Sequence, residues 1–202
     1  MPIIYMLHSP TRGSDKREQI LQGAMQIFLS QGYANTSMDR IAATAGVSKQ
    51  TIYSHFQDKE GLFTALIERV TIQRVQEELG VEVWSGEPAV LLRQLAQAFL
   101  HRTADSDYLN LLRVVIAESV RFPELAQLYS RTVICKARSS LSGYFQAHPE
   151  LGIADPEATA HIFLGSLVSF LLAQEILYGK LVMPMEQERL IETLIALVLS
   201  HH

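Results

Sequence analysis

Cysteine is almost absent from this chain of 202 residues. Its one copy, Cys135, has no second thiol to pair with, so the chain forms no internal disulfide and nothing in it requires an oxidising compartment. The opening segment MPIIYMLHSP lacks the basic region, the long apolar stretch and the small-residue cleavage site of a secretory signal. We therefore expect a cytoplasmic protein in which residues 1–14 form a flexible tail.

Long hydrophobic runs are also missing. The most apolar stretch, residues 162–173, ends at Gln174 and Glu175 and is shorter than the roughly 20 apolar residues that cross a bilayer. This stretch is predicted to be a helix buried in protein, and no membrane partner is expected.

Several catalytic signatures are absent as well. The sequence has no glycine-rich phosphate loop, no nucleophile elbow, no HExxH pair and no pair of carboxylates framed by strand ends. His161, His201 and His202 do not combine with other side chains into a metal-ligand pattern. We therefore predict no catalytic residue, no cofactor and no metal, and we expect that the protein is not an enzyme.

An excess of positive charge is lacking too. The net charge is −4, which argues against a chain coated with positive charge, as a nonspecific nucleic-acid binder can be. The charge is unevenly distributed, however, because residues 1–60 carry +1 and the remaining residues carry −5. This asymmetry permits an anionic partner at the N-terminal end without requiring one.

Apolar residues recur with helical spacing almost throughout, and no alternating run bounded by hairpin turns is present. The predicted fold class is all-α. The first helix is expected to begin near Asp15 and to stop at Gly32. The second is expected to begin at Thr36, the third at Ser48 and the fourth at Asp58.

The glycine- and proline-containing region 80–88 is the predicted junction between two domains. Residues 15–60 are predicted to form an N-terminal three-helix domain, residues 58–79 a long linking helix, and residues 80–202 a C-terminal helical domain. Within the C-terminal domain, helices are expected at residues 89–101, 107–121, 124–147, 156–178 and 185–200.

The third helix lies in the segment GVSKQTIYSHFQDKEGLF, residues 46–63, and is short and polar. At 100° per residue, Ile52 and Phe56 share the inward side, whereas Gln50 and Ser54 point almost directly away. Two short helices joined by a glycine-containing turn, the second of them offering polar side chains, form a helix-turn-helix that fits the DNA major groove. A glutamine amide can bond adenine at two atoms, and hydroxyl groups can bond several base edges.

The candidate DNA contacts combine polar side chains of the third helix with groups suited to phosphate, namely hydroxyls, lysines and helix N-termini. They are Thr36, Ser37, Ser48, Lys49, Gln50, Thr51, Tyr53, Ser54, His55 and Lys59. Simpler explanations exist for some of them. Thr36 and Ser48 would cap helices in any protein. Tyr53 could instead cover the edge of the domain, and Lys59 could be a solvated charge.

The stretch ILQGAMQIFLSQGYANTSMDRIAATAGVSKQTIYSHFQDKEGLF contains, in order, Phe, Gly-Tyr/Phe, Thr, Ile-Ala, Gly-Val-Ser and Tyr-x-x-Phe-x-x-Lys-Glu-x-Leu signals. With these signals, residues 18–63 closely resemble the DNA-binding domain of the tetracycline-repressor (TetR) family. The resemblance implies a cytoplasmic homodimer that binds a palindromic double-stranded DNA operator, represses transcription and lets go when a small-molecule effector occupies the C-terminal domain. It also implies two sets of contacts: Lys49, Gln50, Thr51, Tyr53 and His55 with DNA, and Thr36, Ser37 and Lys59 with phosphate.

The second domain contains helices that are more apolar than a monomer requires, most clearly HIFLGSLVSFLLAQEILYG and RLIETLIALVLS. Two such helices that meet their copies would form a four-helix bundle about a two-fold axis. The alternative is a thick core within one chain. The predicted dimer interface consists of Phe163, Ser166, Leu167, Phe170, Leu190, Leu194 and Leu197.

An effector pocket is expected between the C-terminal helices. In DYLNLLRVVIAESVRFPEL, Arg113 and Glu118 interrupt an otherwise apolar helix, although paired or solvated roles are an alternative for both. The string VVIAESVRFPEL resembles an AefR-type subgroup of the same family, and that resemblance carries no ligand over. The candidate pocket residues are Phe99, Tyr108, Arg113, Glu118, Phe163 and Phe170.

One rival function stays open, a helical adaptor that uses the N-terminal helices on a protein partner instead of DNA. Salt separates the two, because operator binding through phosphates falls steeply with ionic strength and an apolar protein contact does not.

Overall fold

The computed structural model describes residues 12–73, 86–101 and 106–199, and within these ranges all regular structure is helical. The all-α prediction is therefore confirmed. The chain divides into two compact units, residues 1–66 and 67–202. Of the predicted tail, residues 12–14 already belong to the first helix, and residues 1–11 lie outside the described ranges.

The first unit contains helices α1 (Arg12–Gln31), α2 (Met38–Ala45) and α3 (Lys49–Phe56) and most of α4 (Lys59–Glu68). An aromatic cluster fills its centre. Phe63 meets Phe28 edge to face at a centroid distance of 4.9 Å, and Tyr33 packs against both rings. Both phenylalanine side chains are fully buried, so this cluster holds α1 and α4 together.

Polar caps define where the short helices begin. The Ser37 side chain accepts a hydrogen bond from the backbone N–H of Arg40, and Ser48 does the same for Thr51. The predicted start at Ser48 is confirmed. The predicted start of α2 at Thr36 is wrong by one residue, because the Thr36 hydroxyl donates to the carbonyl oxygen of Gly32 at 2.7 Å instead of capping α2.

Two other boundaries differ in opposite ways. The carboxylate of Asp58 accepts from the backbone N–H of Gly61 at 2.7 Å, which confirms Asp58 as the residue that opens α4. In contrast, α1 begins at Arg12 rather than near Asp15, since neither Gly13 nor Ser14 stops the helical backbone.

The second unit starts within α4, which continues as a π-helical turn, Arg69–Gln73. Its other α-helices are α5 (Pro88–His101), α6 (Ser106–Glu118), α7 (Pro123–Tyr129), α8 (Lys136–Ala147), α9 (Pro156–Leu171) and α10 (Gln187–Leu199). The π-helical turn Ser130–Cys135 joins α7 to α8, and Leu172–Ile176 extends α9. The predicted helices match these within a few residues. Residues 74–85, which include the predicted end of the fourth helix and most of the predicted junction, lie outside the described ranges.

Helix α9 and its π-helical extension, Pro156–Ile176, form the apolar centre of the second unit. At 21 residues with a mean hydropathy of 1.4, this helix is long and apolar enough to cross a membrane, which corrects the expectation from residues 162–173 alone. Its side chains Phe163 and Leu167 are fully buried among residues of α5, α8 and α10. In the most apolar 18-residue window of this helix, 33% of the residues are buried.

Candidate nucleic-acid interface

Helix α3 is attached to the first unit by one side and exposed on the other. Ile52 is fully buried and Phe56 nearly so, whereas Gln50, Tyr53 and Ser54 are exposed. These buried and exposed sides agree with the sides predicted from helical geometry at 100° per residue. A rigid helix therefore presents an amide, a phenol and a hydroxyl away from the core.

The turn before α3 is held against α1. Gly46, with φ of 62°, ends α2 and lets the chain turn towards α3. A side chain at Gly23 would bring its Cβ within 2.8 Å of the Ala45 Cβ, so the two helices cross in close contact at this position. The Gln19 side-chain amide also donates to the Ala45 carbonyl oxygen at 2.6 Å. These contacts hold the C-terminal end of α2 against α1, and the turn into α3 begins at this end.

The hydroxyl groups of α3 already make local hydrogen bonds. The Ser48 and Thr51 hydroxyl oxygens lie 2.7 Å apart, and the Ser54 hydroxyl donates to the Thr51 carbonyl oxygen at 2.8 Å. Ser48 also caps α3 through the backbone N–H of Thr51, which is the simpler role considered for it. Ser48, Ser54 and the neighbouring His55 are exposed, so their side chains remain accessible to a partner.

Two of the predicted phosphate contacts have hydrogen-bond partners within the first unit. The Thr36 side chain is buried, and it offers almost no surface to a phosphate. The Lys59 ammonium donates to the carbonyl oxygens of Tyr33 and Thr36 at 3.0 and 3.2 Å and lies 4.3 Å from the centre of the Tyr33 ring. Lys59 thus ties α4 to the turn between α1 and α2, and it is not the solvated charge of the alternative explanation. Ser37 caps α2 and is exposed.

An ion pair joins α2 to α3. The Lys49 ammonium lies 2.9 Å from each carboxylate oxygen of Asp39. The hydrogen bond and the attraction between the charges raise the pKa of Lys49 above its ordinary value. Sequence reasoning missed Asp39 as part of this surface, because only the fold brings two residues ten positions apart on different helices into contact.

Gln57, at the C-terminal end of α3, has an unfavourable backbone conformation for a residue with a side chain, φ 63° and ψ −57°. We expect Gln57→Gly to stabilise the first unit by about 1 kcal/mol, because glycine adopts positive φ without a steric cost. Thermal unfolding followed by circular dichroism would show a higher midpoint. Gln57→Ala is the control and should bring no comparable gain; equal midpoints for the two variants would contradict this explanation.

The predicted pocket residues lie in different surroundings. Phe163 is fully buried and Phe99 packs against the same core of α5, α8, α9 and α10. Tyr108 is buried with its hydroxyl 3.3 Å from that of Tyr129. Arg113 donates to the Glu175 carbonyl oxygen at 3.1 Å and to the Asn110 side chain at 3.0 Å, which supports its paired alternative. Glu118, at the end of α6, is partly exposed.

A groove of about 700 Å³ lies instead along α9. Of the predicted pocket residues it includes only Phe170. Its walls are formed by His161, Ile162, Gly165, Ser166, Ser169, Phe170, Ala173, Gln174, Met183, Pro184, Met185 and Leu190.

The members of the predicted dimer interface differ in exposure. Four of them are buried in the core of their own chain: Phe163, Leu167, Phe170 and Leu194. Ser166 and Leu190 line the groove, and Leu197 is 62% exposed. The exposed apolar side of α9 is instead marked by Ile162, which is 61% exposed. The prediction followed the aromatic residues Phe163 and Phe170, which lie on the buried side of α9, whereas Ile162 lies on the exposed side.

The described residues contain no group of three or more His, Cys, Asp or Glu side chains that could hold a metal ion. Helix α3 exposes hydrogen-bonding groups and Lys49, which pairs with Asp39 of α2.

The fold and this surface define a helix-turn-helix DNA-binding protein, and comparison with known sequences agrees. Residues 20–66 match the bacterial regulatory proteins of the tetR family, and residues 90–201 match the C-terminal domain of AefR-like transcriptional repressors. The chain belongs to the tetR family and is a DNA-binding transcriptional regulator. Both predicted resemblances, to TetR and to the AefR-type subgroup, are thereby confirmed.

Individual relatives support the same assignment. The HTH-type transcriptional regulator AcrR of Shigella flexneri is 32% identical over 109 residues, which cover 54% of this chain and 51% of AcrR; the chain thus spans about half the length of that relative. The flavonoid-responsive regulator FrrA has a structure with a TM-score of 0.71, 30% identity and coverage of 92% of this chain and 96% of its own. The structure of a TetR-family regulator from Mesorhizobium loti MAFF303099 has a TM-score of 0.70 and 29% identity, and the match covers 94% of this chain and 98% of its own.

Proposed function

We propose that the protein is a cytoplasmic repressor that binds a palindromic operator as a homodimer and leaves it when a small molecule binds the C-terminal unit. The observation that carries the proposal is α3, a core-anchored helix that exposes Gln50, Tyr53 and Ser54. A surface of this kind suits base edges in a major groove. The AefR-like match over residues 90–201 supports the repressor role.

The exposed side of α9 supports the proposal of a dimer. Ile162 and the groove beside it leave apolar surface uncovered on a helix whose other side is core. A second copy related by a two-fold axis would cover the same surface on both chains. Operator binding requires that such a dimer hold two copies of α3 about 34 to 36 Å apart, the distance between successive major grooves on one side of the double helix.

Effector control requires that the small molecule bind one pose of the dimer better than the other. One structural relative, FrrA, is named a flavonoid-responsive regulator, which supports an effector for this chain. The predicted pocket residues are mostly buried in the core or bonded to neighbours, so we assign the effector to the second unit without assigning it to a particular residue.

Gln50→Ala is expected to weaken binding to the operator about tenfold per half-site and to leave binding to random DNA nearly unchanged, because base contacts specify sequence and phosphate contacts do not. The operator is first recovered by selection from a randomised duplex pool with the wild-type protein, and affinities are then compared by fluorescence anisotropy. Gln22→Ala, which removes an exposed glutamine from α1, is the control. An equal loss on both DNAs would remove Gln50 from the base-contacting set.

The same titrations test the proposed function itself. Operator affinity should fall steeply as salt rises from about 50 to 200 mM, because phosphate contacts release counterions. If no sequence is enriched from the pool and salt has little effect on the protein's interactions, the protein-adaptor alternative replaces the DNA-binding proposal.

A further inference from the structure

The ion pair between Lys49 and Asp39 lies on the surface assigned to DNA. Lys49 is the first residue of α3, and Asp39 lies in the first turn of α2. The two side chains are 48% and 69% exposed. An ion pair this exposed contributes little to folding stability, because water screens the charges and two long side chains lose freedom. The ion pair is therefore expected to affect the binding of a charged partner more than it affects folding stability.

A DNA phosphate and Asp39 compete for the same ammonium group. In the free protein, Lys49 donates to the carboxylate at 2.9 Å. When Lys49 moves to a phosphate, one ion pair replaces another, and an unpaired carboxylate is left close to the DNA backbone. That carboxylate attracts a cation from solution, which cancels the counterion that the phosphate releases.

Two other cations of the first unit donate to neutral side chains in the structure. Arg40 donates to the side-chain oxygen of Gln31, and Lys16 donates to that of Gln19. Both acceptors are neutral amides. Exchange of an amide for a phosphate gains a charge interaction, whereas exchange of Asp39 for a phosphate does not.

We propose that Asp39 is an internal competitor for Lys49 that lowers the affinity of the protein for the DNA backbone, irrespective of base sequence. Because of this competition, a larger share of the binding energy depends on base contacts from α3. The protein also dissociates sooner from random DNA. This inference rests on the proposed function, since it requires that α2 and α3 lie against DNA.

Asp39→Asn in the full-length protein provides the test, with a mixed-sequence 30-base-pair duplex as the probe. Affinity at about 0.1 M salt should rise roughly fivefold or more. The plot of log affinity against log salt should become steeper by about 0.9 for each subunit bound, since each freed Lys49 now neutralises one phosphate.

Glu60→Gln is the matched control, because Glu60 is an exposed acidic residue in the first turn of α4 in the same unit. Like Asp39→Asn, it removes one negative charge from the first turn of a helix and the favourable interaction of that charge with the helix dipole. A second control combines Asp39→Asn with Lys49→Gln, where the gain and the steeper salt dependence should fall to the level of Glu60→Gln.

The possible outcomes are distinct. Equal effects of Asp39→Asn and Glu60→Gln would reduce Asp39 to a distant charge and overturn the inference, while the proposed function stands. Weaker DNA binding by Asp39→Asn, with unchanged thermal unfolding relative to Glu60→Gln, would overturn it as well, since Asp39 would then support Lys49 on DNA. Failure of the wild-type protein to bind any duplex would overturn the proposed function and this inference together.

Discussion

Phe63→Ala is expected to unfold the DNA-binding unit and to abolish binding to operator and random DNA alike. Phe63 is fully buried and contacts the rings of Phe28 and Tyr33 at centroid distances of 4.9 and 5.2 Å. Truncation of such a ring costs about 3–5 kcal/mol, because it removes apolar contacts and leaves a cavity. A unit of this size has little stability to spare. Circular dichroism should show lost helix, and anisotropy should show no DNA binding.

Phe63→Leu separates the role of volume from that of the aromatic ring. Leucine keeps most of the apolar contacts, so a loss below about 1.5 kcal/mol and retained DNA binding are expected. A fully folded Phe63→Ala protein with wild-type DNA affinity would show that this cluster does not support α3.

Ile162→Asp is expected to separate the dimer and to lower operator affinity at least about 100-fold. Ile162 is 61% exposed on α9, and a two-fold interface would bury two added carboxylates in one apolar contact. Each monomer would then bind only one half-site and lose the effective concentration that the second half-site provides. Analytical ultracentrifugation and operator titration measure the two effects.

Ile116→Asp is the control for this substitution, because Ile116 is an isoleucine of similar exposure, 47%, on α6. It should leave both the dimer and operator binding intact. If Ile162→Asp stays dimeric while Ile116→Asp dissociates, the interface lies on α6 and the assignment to α9 is wrong.

Local features of the first unit were predictable because they depend on neighbours in sequence. The inward side of α3 follows from helical geometry, and the caps Ser48 and Asp58 follow from residue type and spacing. The choice between Thr36 and Ser37 did not follow. Adjacent hydroxyl residues are equivalent as caps until the chain path shows that Thr36 bonds to Gly32.

Features that depend on tertiary contacts were not predictable from sequence. The carbonyl oxygens bound by Lys59 belong to a turn more than twenty residues away, and the partner of Lys49 lies on another helix. On α9, apolar side chains occur on more than one side, so sequence alone does not show which side is core. The structure assigns Phe163 to the core and Ile162 to the surface.

Affinity cleavage of the selected operator tests directly whether two copies of α3 enter successive major grooves. Cys135 is the single cysteine of the chain, so the double substitution Cys135→Ser and Ser54→Cys allows an iron chelate to be attached at one position on the exposed side of α3. We expect two cleavage zones, related by the operator's two-fold axis and centred about 10 base pairs apart or a multiple of this. A single zone, or cleavage spread evenly over the duplex, would contradict the claim that two copies of α3 enter successive major grooves.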